Sequence, residues 1–259
     1  MSDPLTIIIP IYLFVIGLFV GSFCNVVAIR LCKNESIVFP GSHCVNCNHK
    51  LSWYELIPVF SWVFLGGRCK SCHKKISIQY PLIELLTAVM FSCCYLLYGN
   101  SFNTAIAIVL SSIAIITLIT DTRWMIILDE VIIIGGILLA ILYFVGFGTD
   151  VFISHLIGGV VLFLIMLLVK LIADFAFKTE SLGWGDIKLS LIAGLILELK
   201  LGIVYIFLGA ILALPYGLFT SIKKKESLLP FGPFLVLSII ILFVFNEQAL
   251  SLLKLLMGV

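Results

Sequence analysis

The sequence predicts an all-α polytopic membrane protein of about eight transmembrane helices, with a small four-cysteine domain between the first and second. Three observations carry this. Hydrophobic residues make up 62% of the 259 positions, charged residues only 12%, and the mean hydropathy is +1.23. A soluble domain carries roughly 25% charged residues and about 45–50% apolar ones, so lipid is the solvent for most of this chain. The apolar residues also fall into runs of the length that a hydrocarbon core of about 30 Å requires. The one long polar stretch, Arg30 to Tyr80, holds four of the eight cysteines. A net charge of +2 excludes a strongly basic nucleic-acid binder, so no nucleic-acid partner is expected.

The first span is Ile7 to Ile29, with no Lys or Arg ahead of Arg30. A cleaved signal peptide carries its basic residues in front of the apolar run, so a retained helix with its N-terminus outside is expected. The expected organisation is a first helix over 1–29, a cysteine domain over 30–80 and a transmembrane body over 81–259. Within that body the spans read Pro81–Tyr98, Phe102–Thr120, Asp129–Phe147, Val151–Phe177, Ile187–Leu199, Leu201–Ile222 and Phe231–Leu256. The shortness of Ile187–Leu199 leaves a seven-span count open. Eight spans put fourteen of the sixteen Lys and Arg on the side of the cysteine domain and leave only Lys200 and Lys254 opposite. Under the positive-inside rule this makes that side cytoplasmic. No repeat of fixed period is evident.

Cys44 and Cys47 form one C-x-x-C pair, and Cys69 and Cys72 another, with 21 residues between the pairs. Two such pairs on tight turns place four thiolates around a structural zinc ion, and a reducing cytoplasmic face keeps them free for metal. The alternatives are two redox pairs or incidental cysteines. His43, His49 and His73 read as solvated loop residues. Cys24, Cys32, Cys93 and Cys94 lie in or beside apolar spans and read as small buried hydrophobes.

Carboxylates inside a membrane are expensive and by default functional. Glu84, Asp121, Asp129, Glu130, Asp174, Asp186 and Glu198 lie in or beside spans. Asp121 closes the third span. Asp186 ends the glycine-rich turn SLGWGDIKL (Ser181–Leu189) and opens the sixth. Both are expected at the cytoplasmic side. Singly, Asp121 could be an end-of-helix residue and Asp186 a cap. Brought together they would share a proton and supply a general base and a general acid. Periodicity alone cannot establish that they touch.

Five stretches in order carry a resemblance to the type IV prepilin peptidases: GSFCNVVAIRL (Gly21–Leu31), the cysteines bracketing LSWYELIPVFSWVFLGGRC (Leu51–Cys69), QYPLIELLTA (Gln79–Ala88), Asp121 with the G-x-G-D of Gly183–Asp186, and PFGP (Pro230–Pro233). The family often has a Pro-Asp pair where this chain has Leu128–Asp129; Asp121 matches the leading Asp, and Asp129 reads as a cap on the fourth span. The resemblance implies an aspartic endopeptidase of the bacterial inner membrane with Asp121 and Asp186 catalytic. Its substrates would be type IV prepilin or pseudopilin precursors serving pili, secretion or DNA uptake. It also implies N-methylation of the new N-terminus with S-adenosylmethionine. The competing class is a transporter that relays protons or cations through buried carboxylates; it leaves the cysteine domain unexplained.

Overall fold

In the computed structural model the described residues are 5–178, 182–224 and 229–257. The first residues of the expected 1–29 helix, Ser181 of the glycine-rich turn and Lys225 of the Lys223–Lys225 run counted with the cytoplasmic charges lie outside them. All regular structure among the described residues is helical. The chain divides into two compact units, Met1–Ile119 and Thr120–Val259.

The first unit is built on α1 (Leu5–Cys32) and α3 (Gln79–Tyr98), with the cysteine domain between them in sequence. A methyl group on Gly17 would lie 2.5 Å from the Cα of Ala88, and one on Gly21 2.8 Å from the Cα of Glu84. The two helices therefore touch backbone to backbone, the small-residue contact that van der Waals packing in lipid favours. The cysteine domain adds a 3₁₀ turn, Trp53–Leu56, and the short helix α2 (Phe60–Phe64). The body of α4 (Phe102–Trp124) completes this unit, and its last turn, from Thr120 on, belongs to the second.

The second unit contains α5 (Asp129–Phe147), α6 (Thr149–Phe177), α7 (Trp184–Lys224), α8 (Gly232–Val244) and α9 (Asn246–Met257), with α7 packed against α5, α6 and α8. At the α6–α7 crossing a methyl on Gly194 would lie 2.5 Å from the carbonyl oxygen of Gly158. By length and composition six helices can cross a membrane, or seven if α8 and α9, bent by 88°, form one broken span. The expected spans Ile187–Leu199 and Leu201–Ile222 are joined in the 41-residue α7, which breaks at Glu198 (φ 56°, ψ −175°). A methyl on Gly202 would lie 3.8 Å from the Cα of Gly194. Eight residues of straight helix span about 12 Å, so the chain doubles back at Glu198. The break frees carbonyls that a continuous helix would use, and two side chains take them. Tyr143 Oη donates to Ile196 O at 3.1 Å, and His155 Nδ1 lies 2.7 Å from Leu195 O. His155 also stacks on Tyr143, and its Nε2 is 3.3 Å from the Glu198 carboxylate.

Candidate active site and thiolate centre

The four cysteines converge. Sγ of Cys44, Cys47, Cys69 and Cys72 all lie within 4.8 Å of one another, with Cys44–Cys72 at 3.8 Å and Cys47–Cys69 at 3.9 Å. Four sulfurs at about 2.3 Å from a tetrahedral metal stand about 3.8 Å apart, so the cluster is dimensioned to hold a metal ion. Two copies of one turn present it. Cys44 N–H donates to His49 O and Asn48 N–H to Cys44 O; Cys69 N–H donates to Lys74 O and His73 N–H to Cys69 O. Asn48 (φ 55°) and His73 (φ 56°) occupy the same left-handed position, and the bridges His43–Lys50 and Arg68–Lys75 close the two turns alike. HCVNCNHK (43–50) and RCKSCHKK (68–75) thus adopt the same turn, offset by 25 residues. Backbone N–H groups of Asn46 and Cys47 draw the Cys44 thiol down to about 6. At Cys47 the His49 N–H is outweighed by desolvation and the neighbouring sulfurs, which push that thiol up to about 11. The cluster therefore favours one thiolate at a time until a cation offsets their repulsion.

Glu55 ties the 3₁₀ turn to the first of these turns. Its buried carboxylate accepts the Ser52 N–H at 2.9 Å and lies 3.3 Å from His49 Nε2. His49, expected as a solvated loop residue, therefore has a structural partner.

In the second unit Asp121 is buried, 5% exposed, near the end of α4. Its Oδ2 accepts the backbone N–H of Gly232 at 2.9 Å, at the first residue of α8. The carboxylate therefore faces the positive end of a 13-residue helix. Asp186 lies in the first turn of α7, accepts the Gly183 N–H, and is within electrostatic reach of Asp121. Beside them, the start of α7 comes very close to the segment that follows α4. The α4 helix ends at Met125 (φ 54°), and the following Ile127 and Leu128 are buried. Gly185 presses on Ile127 so closely that a methyl there would lie 2.7 Å from the Ile127 Cβ. Only glycine allows it.

Asp129, Asp174 and Glu84 are engaged elsewhere. Asp129 does not cap α5, whose N-cap is Leu128; its two oxygens receive Lys188 Nζ at 2.6 and 2.8 Å. Asp174 pairs with Lys170 at 3.0 Å. Asp186 is not a cap either, since α7 begins two residues earlier. Glu84, in the first unit, accepts the Val59 N–H at 2.7 Å. Sequence reasoning passed over Lys170, a buried cation in an apolar helix whose Nζ donates to Leu182 O at 2.7 Å and lies 5.6 Å from the Trp184 ring centroid. Its position in an uninterrupted apolar run was the available signal.

The fold and site define a polytopic helical membrane protein with two carboxylates brought close at one end of its helices and a four-thiolate domain beside its first two long helices. Residues 15–98 match a family model described as the bacterial peptidase A24 N-terminal domain, and residues 108–218 match that of the type IV leader peptidase family. The chain is 31% identical over 242 residues to a prepilin leader peptidase/N-methyltransferase of Bacillus subtilis, covering 92% of this chain and 95% of that protein. It is 39% identical over 177 residues to one of Myxococcus xanthus, covering 68% of this chain and 52% of that protein. For one of Vibrio cholerae the figures are 28% over 239 residues, 88% and 94%. No solved structure matches. The chain belongs to the type IV prepilin leader peptidase/N-methyltransferase family of membrane enzymes.

Proposed function

We propose that this enzyme cleaves the leader from type IV prepilin-like precursors with Asp121 and Asp186, at the cytoplasmic face of the inner membrane. The observation that carries the reading is the approach of these two aspartates, with Asp121 held by Gly232 at the start of α8. One carboxylate, ionised, takes a proton from a water molecule whose oxygen attacks the scissile carbonyl carbon. The other, protonated, gives its proton to the carbonyl oxygen and so stabilises the tetrahedral intermediate. Proton return to the amide nitrogen then breaks the C–N bond, leaving a carboxylate on the leader and a free amine on the mature chain. The outward pairing of Asp129 with Lys188 supports Asp121 as the first catalytic carboxylate.

The 30–80 domain is assigned to zinc, held by Cys44, Cys47, Cys69 and Cys72; four thiolates leave no open position on the ion, so its part is structural. The 81–259 body is assigned to peptide cleavage. The distribution of Lys and Arg supports a cytoplasmic cysteine domain with both termini outside, the doubled-back α7 supplying two crossings.

Methylation of the new amine rests on the relatives' names. A cleft of about 590 Å³ in the first unit is lined by Trp62, Arg68 and Lys75 among others. It offers no carboxylate to the sulfonium of S-adenosylmethionine, so its lining does not fit that donor. Incubating the purified enzyme with a prepilin-like peptide and methyl-labelled S-adenosylmethionine tests the reading. Cleavage with label on the new N-terminus is expected; cleavage without label would leave a peptidase alone, and no cleavage would overturn the proposal.

A further inference from the structure

The cysteine domain carries an apolar surface that neither the metal cluster nor the aspartates explain. Trp53, Phe60, Val63, Phe64 and Ile78 are all more than half exposed, Phe64 at 84%. Three of the five residues of α2 belong to this set. A water-facing surface rarely concentrates apolar groups so, and such patches mark a partner.

The depth of α2 indicates which partner. The backbone N–H of Val59, the residue before α2, donates to the Glu84 carboxylate at 2.7 Å. Glu84 is the sixth residue of α3, about 7.5 Å along its axis from the start. The 20 residues of α3 span about 30 Å, the thickness of a hydrocarbon core, so its first residue marks one edge. Side chains lean toward the helix N-terminus, which brings the bonded Val59 back toward that edge. The start of α2 thus lies at the boundary of headgroups and acyl chains, the level an interfacial helix occupies. Val59 itself is β-branched at φ 62°, a costly conformation that persists only when its surroundings hold it. The Glu84 bond is one of those constraints.

Charge narrows the partner further. Between residues 30 and 80 there are seven Lys and Arg against Glu35 and Glu55, and Glu55 is buried and hydrogen-bonded. Arg68 and Lys75 line the cleft that runs to Ile78, next to the first residue of α3. A cationic peptide would be repelled by this surface; anionic headgroups complement it.

We propose that Trp53–Phe64 is an interfacial wedge that inserts Phe60, Val63 and Phe64 into the boundary of an anionic bilayer, with Arg68 and Lys75 receiving lipid phosphates. The wedge would hold the cysteine domain against the membrane between its two tethering helices. The proposal does not depend on the peptidase reading. Its test is Phe64→Trp in the full chain, reconstituted in nanodiscs of phosphatidylcholine with or without phosphatidylglycerol. The added indole emission, taken as the difference from wild type, should be blue-shifted and quenched about two-fold or more by lipids brominated in the acyl chain. It should resist aqueous iodide. Quenching should be stronger with phosphatidylglycerol, and Arg68→Gln with Lys75→Gln should abolish that increase. Emission at the wavelength of water-exposed indole, open to iodide and untouched by bromine, would overturn the wedge. So would an indole that stays wet until a prepilin-like peptide is added, which would make the patch a peptide dock. Equal quenching in neutral and anionic lipid would overturn the phosphate contacts. Phe64 is exposed, so the substitution leaves the packing intact, and unchanged metal content would verify the fold.

Discussion

Asp121 and Gly232 are 111 residues apart in the chain, and the carboxylate of one accepts the backbone N–H of the other at 2.9 Å. That bond fixes the end of α4 against the start of α8 and points a buried carboxylate at the positive end of a helix. Among the described residues no charged side chain shares the bonded oxygen of Asp121, unlike Asp129, whose oxygens are taken by Lys188. The PFGP stretch is thereby part of the site's frame.

The close approach of Gly185 to Ile127 gives the first prediction. Gly185→Ala would drive a methyl into the Ile127 side chain, and overpacking of this kind costs about 1–3 kcal/mol. A displacement of about 1 Å at a catalytic group can cost about 10²-fold in rate. Cleavage by Gly185→Ala should fall by about that factor, with the protein still folded. Ile127→Gly in the same chain, which removes that Cβ, should recover much of the loss. A double variant no faster than Gly185→Ala would show that the contact does not set the position of Asp186.

The types of residue in the site were legible in the sequence because each offends its surroundings. Carboxylates in apolar runs and paired cysteines in the one polar stretch stand out locally. The convergence of the four cysteines was legible in their paired spacing; the approach of Asp121 and Asp186 was not, because it depends on how α5, α6 and α7 pack. The reversal in α7 was legible to within two residues, as the boundary between the expected spans ending at Leu199 and starting at Leu201. Its exact place at Glu198 was not, because no glycine or proline marks that residue and the bonds from Tyr143 and His155 come from other helices. The two cysteine turns share only Cys, Cys and Lys at matching positions, too little to stand out until their hydrogen bonds coincide.

The thiolate geometry predicts one zinc ion per chain. Elemental analysis of protein purified without chelator should find about one equivalent. Replacing any one of Cys44, Cys47, Cys69 or Cys72 by Ser should lower that content and make residues 42–76 sensitive to protease, since a structural metal's binding energy is folding energy. Full metal content in any of the four variants would remove that cysteine from the ligand set.

Glu55 gives a pH dependence of known sign. The Ser52 N–H first, then His49, holds its carboxyl below the usual carboxylate range. A depressed folded pKa means the ionised form stabilises the fold above the unfolded value of about 4.3, and that contribution is lost as pH falls through the folded value. Glu55→Gln should therefore reduce protection of the Ser52 amide from hydrogen exchange at neutral pH. The gap from wild type should close in acid. A gap that widened on acidification would give the opposite sign and refute the assignment.

The aspartate pair makes the sharpest prediction. Asp121→Asn keeps an oxygen able to accept the Gly232 N–H and should preserve the join between α4 and α8. Asp186→Asn likewise keeps an acceptor for the Gly183 N–H. Each removes one of the two groups that must hold or move a proton, and losing general acid–base help typically costs 10²–10⁴-fold. The two single variants and the double variant should be similarly inactive, because groups acting as one unit are not additive. Zinc content and protein level should match wild type, separating lost chemistry from lost fold. Activity against pH should be bell-shaped, with two apparent values that belong to the pair. Asp129→Asn serves as the control: it weakens an exposed ion pair with Lys188, and such pairs contribute about 0–1 kcal/mol, so the rate should fall by less than about ten-fold. Should Asp129→Asn abolish cleavage while Asp121→Asn still turns over, the first catalytic carboxylate would lie at the start of α5, and the bond from Gly232 would serve the fold alone.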